Sequence, residues 1–395
     1  MFKRSQFSIL HARLSSPRRN IQVMIGPRQV GKSTLASQLA ESLEIPIHMA
    51  SGDAAYNTSK TWLQQQWTVG RQLAKENGVS LLILDEVQKV DDWSAVVKQL
   101  WDEDTQSQTN MKILLLGSSS LMLQTGLSES LAGRFEIVNI PHWSFTECKE
   151  AFGLTVEEFI FFGGYPGALP FKDDFKRFKD YVKDSLIETV VAKDILMMTI
   201  VKKPALLRRV FDIGCVYASQ ILSYQKMMGQ LQDAGNITTL AHYLRLLGQA
   251  GLLTSIDKFA VQAVRQRASS PKLMPLDSAL FSVCVGKSFD VARNDHALWG
   301  RFVETAVGAH LLNTCQEDDV DVFYWREGNF EVDFVLRKDE LLIPIEVKSS
   351  SKSLTLNGMD KFSSQFPCAQ MLLVGGSGIP LDTFFNKPAG YWFTL

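Results

Sequence analysis

The sequence has 395 residues, of which 46% are hydrophobic and 21% charged, a composition typical of a globular protein with two or three domains. Lys and Arg total 41 against 42 Asp and Glu, so the net charge argues neither for nor against a nucleic-acid partner. The 5 cysteines are scattered and form no Cys-x-x-Cys pair, which argues against a disulfide framework or a cysteine-rich zinc site. No apolar run reaches membrane-spanning length and the first residues lack a signal-peptide core, so we expect a cytoplasmic protein without a membrane partner.

A phosphate-binding pattern follows the first predicted elements, a helix over residues 7–14 and a buried strand over 21–25. The pattern Gly-x-x-x-x-Gly-Lys-[Ser/Thr] is met at every fixed position by Gly26, Pro27, Arg28, Gln29, Val30, Gly31, Lys32, Ser33 and Thr34. A helical pattern begins directly after it, so the loop has the strand–loop–helix context of a nucleotide site. We expect its amides to bind phosphates, Lys32 to reach the β- and γ-phosphates and the Ser33 hydroxyl to bind Mg²⁺. ATP and Mg²⁺ are the predicted ligands.

Two acids end the next strongly apolar segment. Residues 81–84 are Leu-Leu-Ile-Leu, as in a strand buried on both faces, and Asp85 and Glu86 follow. Ligands bind at this carboxyl edge of open parallel sheets. Asp85 is therefore predicted to complete the Mg²⁺ shell, and Glu86 to polarise the water that attacks the γ-phosphate. The alternative is a helix cap with two exposed acids.

A further strand is predicted over residues 113–116, followed by Gly117 and Ser118. Ser118 either senses the γ-phosphate or only forms a turn and a helix cap. A helical pattern leads to Arg134, which precedes the last predicted strand of this region, residues 135–140. The phosphate loop is thus followed, in order, by Asp85 and Glu86, the polar strand end and Arg134. A chain with these features in this order resembles AAA+ ATPases.

This resemblance covers residues 1–145 and implies an AAA+ P-loop ATPase domain with a parallel sheet. It also implies that Arg134 is a finger delivered to the γ-phosphate of a neighbouring subunit, because a guanidinium offsets the charge that develops there. The chain would then be a homo-oligomer with shared active sites, such as a ring. The alternative is that Arg134 makes a local ion pair.

The predicted middle domain, residues 146–280, is mostly helical. A glycine-rich turn at residues 163–167 precedes two helices over 221–228 and 238–247, a strand over 252–256, a basic loop containing Arg265 and Arg267, and a returning strand near Lys272. This order is similar to a winged helix, whose second helix would present His242 and Arg245 to DNA. Such modules also serve for protein packing alone, and both uses stay open.

The predicted C-terminal domain, residues 281–395, combines a helix carrying Glu304 with strands carrying Asp333 and then Glu346 and Lys348. Residues 346 and 348 share a strand face. Carboxylates so placed can hold Mg²⁺ or Mn²⁺, and Lys348 can orient the attacking water. The α-β-β-β-α-β order resembles the PD-(D/E)XK nuclease superfamily.

That resemblance implies a restriction-endonuclease-like fold, metal bound by Glu304, Asp333 and Glu346, and a Mg-dependent deoxyribonuclease activity with Lys348 as a catalytic group. The sequence departs from the family pattern before Asp333, where Glu331-Val332 stands without proline. A surface acid–lysine pair on a sheet edge is the alternative.

As a whole, the chain resembles prokaryotic AAA-type ATPases fused to a nuclease-like C-terminal domain of unknown function. The first hypothesis is an oligomeric ATPase that couples hydrolysis to DNA binding or processing. The second is a nucleotide-dependent switch or regulator in which an inactive nuclease-like domain binds a protein partner.

Overall fold

The computed structural model describes residues 2–53, 59–117, 127, 130–198, 201, 203–231, 235–262, 269–350 and 356–395, with the backbone alone at 193, 194, 197 and 198. The chain forms two compact units, Met1–Pro141 and His142–Leu395. The first unit ends close to the predicted boundary at residue 145. Both regions predicted as separate domains, 146–280 and 281–395, lie in the second unit.

The first unit is built on a five-stranded sheet whose strands are all parallel and stand in the order β2-β3-β4-β1-β5. The strands are β1 (Ile21–Ile25), β2 (Ile47–Ser51), β3 (Ser80–Asp85), β4 (Met111–Gly117) and β5 (Phe135–Asn139). The helices are α1 (Gln6–Ser15), α2 (Lys32–Ser42), α3 (Lys60–Asn77) and α4 (Trp93–Gln106). This is a mixed α/β architecture with a parallel sheet, as predicted.

Both faces of the sheet are covered, which explains the uninterrupted apolar runs of its central strands. Alternate residues of a strand point to opposite faces. Accordingly, Val23 packs in a cluster with residues of α3 and α4, whereas Met24 packs in a second cluster with residues of α1 and α2. All five residues of β1 are buried. The loop of residues 26–34, which we call the nucleotide loop, thus begins at the end of a fully buried strand.

The second unit begins with helices, of which the first three are capped by the side chains of Ser144, Thr155 and Asp174. They are α5 (Phe145–Phe152), α6 (Val156–Phe162), α7 (Phe175–Asp180), α8 (Ile195–Met198) and α9 (Pro204–Val216), and π-helical turns span Tyr181–Glu188 and Val190–Asp194. Capping boxes start α5 and α6. The predicted glycine turn follows α6: Gly163 has φ +67°, and a Cβ there would meet Asp277 Oδ1 at 1.9 Å. The turn therefore requires glycine for space as well as for conformation.

A helix pair and a hairpin follow. They are α10 (Tyr224–Gln230), α11 (Ile237–Gln249), β6 (Leu253–Ile256) and β7 (Lys272–Pro275). The two strands are antiparallel, and Ile221 forms a further bridge to Lys272. The order helix, helix, strand, loop, returning strand is the predicted one.

The remaining elements are five α-helices and four strands in the described part of the chain. They are α12 (Ser278–Val285), α13 (Phe289–Asn294), α14 (His296–Thr314), β8 (Asp321–Glu327), β9 (Phe330–Lys338), β10 (Leu341–Lys348), α15 (Asn357–Gln365), β11 (Leu372–Gly375) and α16 (Leu381–Phe385). The four strands form one sheet in the order β11-β10-β9-β8. Strands β8, β9 and β10 are antiparallel, and β11 is parallel to β10. From α14 onward the elements follow the predicted order of helix, three strands, helix and strand. No helix in the described part of the chain combines the length and apolarity that crossing a bilayer requires.

Candidate functional site

The nucleotide loop joins β1 to α2 and folds tightly around its own lysine. Lys32 Nζ donates hydrogen bonds to the carbonyl oxygens of Gly26 at 2.9 Å and Pro27 at 2.7 Å. Gly31 has φ +93°, and a Cβ on Gly26 would lie 2.1 Å from the Ile140 carbonyl oxygen. Both glycines are therefore required by the backbone path. The loop places an ammonium group at the start of a helix, where anions are favoured.

The remaining predicted loop residues line the same turn. Gln29 has φ +60°, Val30 is buried, Thr34 is exposed on the first turn of α2, and Pro27 and Arg28 are half-buried. Ser118, the predicted γ-phosphate sensor, lies outside the described residues.

The two residues predicted to hold Mg²⁺ meet each other. The hydroxyl of Ser33, on α2, donates to Asp85 Oδ2, at the end of β3, over 2.8 Å. Strand β4 stands between β1 and β3 in the sheet, so the contact joins residues that only the parallel fold brings together. Both groups offer hard oxygen atoms, the donors that Mg²⁺ prefers. Ser33 and Asp85 therefore fit the predicted metal.

Glu86 is held in position by its neighbours. It has φ +53°, its amide donates to the Leu116 carbonyl oxygen at 2.9 Å, and only 9% of it is exposed. Its carboxylate accepts a hydrogen bond from Gln88 Nε2 at 2.5 Å. The sequence pattern did not single out Gln88, because an amide two residues after an acid has no distinctive spacing. The contact fixes the direction of the carboxylate that is predicted to orient water.

Arg134 makes the local ion pair that was the alternative to a finger. Its Nε and Nη2 donate to the two carboxylate oxygens of Asp102, at 2.8 and 3.1 Å. The hydrogen bond from Arg134 lowers the pKa of Asp102. The carbonyl oxygen of Arg134 also accepts from Ile21 N at 2.8 Å, which fixes the residue beside the start of β1. A role toward a neighbouring subunit stays a prediction.

The four residues of the predicted nuclease-like site do come together in the second unit. Asp333 Oδ2 on β9 accepts from the Val347 amide of β10 at 2.8 Å, and Lys348 Nζ donates to Glu346 Oε1 at 2.5 Å. Glu304 approaches from α14. The side chains of Glu304, Asp333 and Glu346 are 21%, 17% and 12% exposed, so the cluster is largely desolvated. We call these residues, with Lys272 below, the acid–lysine cluster.

Lys272 enters this cluster from strand β7 and is fully buried. Its ammonium nitrogen lies 2.5 Å from Glu304 Oε1 and 3.9 Å from Asp333 Oδ1, and it donates to the Asp333 carbonyl oxygen at 3.1 Å. The two carboxylates outweigh the effect of burial and raise the pKa of Lys272. Burial chiefly raises the pKa of both Glu304 and Glu346 to about 7. The sequence predicts only a strand at Lys272, because this residue lies 61 positions before Asp333 and no spacing links the two.

This geometry does not fit the predicted metal role of Glu304, Asp333 and Glu346. Within the described residues, no group of three or more His, Cys, Asp or Glu side chains is arranged to hold a metal ion. The carboxylates instead face the ammonium groups of Lys272 and Lys348, which supply the positive charge that a metal would bring. The sequence places only Lys348 beside these acids, so the counter-charge of Lys272 is visible only in the structure.

The helix predicted over residues 238–247 is present as α11, and its use as a recognition helix stays a prediction. Asn236 caps it by accepting from Thr239 N at 2.9 Å. Arg245 is exposed and donates to His242 Nδ1 at 3.1 Å, so the two predicted basic side chains lie together on one side of the helix. Arg265 and Arg267 of the basic loop lie outside the described residues.

Three family models match the chain. An AAA domain model matches residues 18–149, and two domains of unknown function, DUF8612 and DUF4143, match residues 154–290 and 299–382. No curated protein matches. Among solved structures, the Walker-type ATPase PABY2304 of Pyrococcus abyssi is 17% identical over 72% of this chain and 96% of its own, with a TM-score of 0.47.

The AAA match and the site geometry agree about the first unit. It is an AAA-like domain with a P-loop, and this class of domain supports ATP binding and hydrolysis. An ATPase of this type implies a nucleotide and usually Mg²⁺ as its ligands.

Proposed function

We propose that the chain is an ATPase whose first unit binds Mg-ATP at the loop of residues 26–34. The observation that carries the proposal is the 2.8 Å contact between Ser33 Oγ and Asp85 Oδ2 beside the loop-bound Lys32. Two separate chain segments, the loop with the start of α2 and the end of β3, thus supply an ammonium group, a hydroxyl and a carboxylate to one sheet edge. A glycine-rich turn that matched the pattern by chance would not be expected to contact a carboxylate at the end of another strand of the sheet.

Each group then has a defined task. The loop amides and Lys32 bind the phosphates, and Lys32 gives up its contacts to the Gly26 and Pro27 carbonyl oxygens to do so. Ser33 and Asp85 would hold Mg²⁺, which supplies electrostatic stabilisation to the phosphate oxygens. Glu86, oriented by Gln88, accepts the proton of the attacking water. The products are ADP and phosphate.

Three variants test the assignment. Lys32→Ala is expected to abolish nucleotide binding, whereas Glu86→Gln is expected to bind ATP but to hydrolyse it about 10²-fold or more slowly, the usual contribution of a general base. Glu44→Gln removes an exposed acid of the same unit and serves as the control. Retention of full ATPase activity by Glu86→Gln would refute the role of Glu86.

We further propose that Arg134 acts across subunits of a homo-oligomer. Lys32→Ala subunits keep the arginine but lack the nucleotide, and Arg134→Ala subunits have the reverse defect. Mixing the two is expected to restore hydrolysis if the finger acts in trans. Asp102→Asn controls for the ion pair, because it frees the arginine without removing it. A mixture as inactive as its components would refute the finger.

A second part of the proposal is that ATP turnover is coupled to DNA binding. The helix pair, the hairpin and the exposed Arg245–His242 pair support a winged-helix reading of this region. Double-stranded DNA is expected to stimulate the ATPase, and Arg245→Gln to weaken that stimulation several-fold. Lys176→Gln, which removes an exposed cation from α7, is the control. Equal stimulation of both variants, or none of the wild type, would reject DNA coupling through this helix.

For the nuclease-like part, we propose that it binds its target without metal-dependent cleavage. The buried Lys272 favours this reading, since it satisfies the carboxylates that a metal would need. Nicking of branched or linear DNA is measured with Mg²⁺ and Mn²⁺, for wild type and Glu346→Ala. No nicking is expected from either. Metal-dependent nicking that Glu346→Ala abolishes would establish a deoxyribonuclease instead.

The same observation favours a second candidate function, a nucleotide-dependent switch whose C-terminal unit binds a protein. This candidate predicts slow, DNA-indifferent turnover and ATP-dependent oligomerisation. Analytical ultracentrifugation with and without ATP is decisive. Normal ATP-dependent assembly of Lys32→Ala protein would count against the switch.

A further inference from the structure

A cavity in the first unit lies at the edge of the sheet opposite the nucleotide loop. It has a volume of about 510 Å³ and is lined by the segment between α1 and β1 and by the first residues of the parallel strands. Its charged lining comprises Arg13, Arg18, Arg19, Lys112 and Glu136. Parallel strands place their starts and their ends at opposite edges, so this cavity is separate from the Ser33–Asp85 site.

Positive charge in the cavity exceeds negative charge. Glu136 is the one acid among the described lining residues, and its carboxylate already accepts from Asn20 at 2.6 Å and Gln22 at 3.3 Å and pairs with Arg13 at 3.4 Å. Arg18 and Lys112 therefore lack a carboxylate within the cavity, whereas Arg19 interacts with the same Glu136 carboxylate that pairs with Arg13. Asp104 attracts Arg18 from outside, but its oxygens bind Arg71 and Trp67.

Two of these cations are fixed in place by neutral groups. Arg18 Nε donates to the Met111 carbonyl oxygen at 3.0 Å, and its guanidinium stacks 3.5 Å from the Trp101 ring centroid. Lys112 Nζ donates to the Leu14 carbonyl oxygen at 2.5 Å. Carbonyl oxygens orient a cation without neutralising it. Burial accordingly lowers the pKa of both Arg18 and Lys112, which a bound anion would reverse.

We propose that this cavity binds a phosphate-bearing anion. The described lining carries four cations against one carboxylate, and this excess of three positive charges matches the charge of a di- or triphosphate or of successive phosphates along a strand. Arginine and lysine are the usual phosphate ligands, and the volume lies in the ordinary range of about 300–1,000 Å³ for ligand pockets. Arg19 is exposed to solvent, whereas Arg18 and Lys112 are half-buried. The site is independent of the ATP-hydrolysing centre.

The probe is inorganic pyrophosphate, titrated calorimetrically into the full-length Lys32→Ala protein so that the nucleotide loop does not contribute. Saturable binding is expected. Arg19→Gln and Lys112→Gln should each weaken it on the order of 10-fold, equivalent to about 1.4 kcal/mol. Lys75→Gln, which removes an exposed cation from α3, should leave it unchanged. Arg19 is exposed, so its substitution leaves the fold intact.

A parallel titration with a short single-stranded oligonucleotide distinguishes the two sources of phosphate. Binding of the oligonucleotide with the same variant dependence assigns the cavity to a nucleic-acid backbone, and binding of pyrophosphate alone assigns it to a free anion. Absence of pyrophosphate binding at millimolar concentration, or equal affinity in all variants, would overturn the proposal. Neither result would affect the assignment of ATP hydrolysis to the Lys32 loop.

Discussion

Replacing Lys272 by methionine is expected to destabilise the second unit strongly. Methionine retains the length and apolar stem of the side chain and removes its charge together with its hydrogen bond to the Asp333 carbonyl oxygen. The ammonium nitrogen lies 2.5 Å from Glu304 and 3.9 Å from Asp333, and the side chain is fully buried. At an effective dielectric constant of ~20, Coulomb's law gives attractions of about 7 and about 4 kcal/mol for these distances, before desolvation is subtracted.

Desolvation of the three charges cancels much of that attraction, so the net effect of the intact cluster is small. Breaking it is different, because Lys272→Met leaves the largely buried carboxylates of Glu304 and Asp333 without their nearest counter-charge, and only the more distant Lys348 remains. Such a change typically costs about 3–5 kcal/mol. Glu304→Gln leaves Lys272 with Asp333 and should cost less. In the double variant Lys272→Met/Glu304→Gln, the uncharged glutamine needs no cation beside it. The double variant should therefore lose less stability than the sum of the losses in the two single variants.

Urea unfolding followed by tryptophan fluorescence measures these free energies. Lys226→Met, which removes an exposed lysine from α10, is the control and should change stability by less than about 0.5 kcal/mol. A loss below about 1 kcal/mol for Lys272→Met, or strict additivity in the double variant, would show that the lysine and Glu304 do not interact as described.

Three further predictions concern other parts of the structure. Burial lowers the pKa of His310 to about 4. The free energy of unfolding is therefore unaffected by this group above pH 6.5 and decreases as the pH falls toward 4, by about 3 kcal/mol in all. His310→Gln should flatten that part of the acid unfolding curve. Asp104→Leu should cost about 3 kcal/mol in urea unfolding, because it leaves the buried Trp67 Nε1 without its acceptor and removes one of the two carboxylates that Arg71 contacts; little change would contradict this. Gly26→Ala should weaken fluorescent ATP-analogue binding at least 10-fold, because its Cβ would displace the Ile140 carbonyl; unchanged affinity would contradict it.

The sequence predicted the architecture of the first unit because its signals are local. The apolar run of β3 ends in Asp85, and the glycines of the loop have fixed spacing, so strand, edge and ligands could be placed without knowing the pairing. The partners of side chains across the sheet were not predictable in this way. Gln88 beside Glu86 and Asp102 beside Arg134 follow from the register of neighbouring elements, which no single segment encodes.

In the second unit, residue spacing indicated the order of elements and the meeting of Glu304, Asp333, Glu346 and Lys348. It could not predict Lys272, because a long-range contact between β7, α14 and β9 depends on how the hairpin packs. The proposal that these carboxylates do without a metal depends on this contact. A list of acids predicts a metal only when the cations around them are also known.

The position of Lys272 also determines where the chain can be cut. The DUF8612 and DUF4143 matches separate between residues 290 and 299, and a fragment starting there would contain Glu304 and Asp333 but not the lysine that neutralises them. Such a fragment should be poorly soluble, or should recruit a foreign cation. Any metal affinity measured on it would be produced by the truncation and would say nothing about the intact protein.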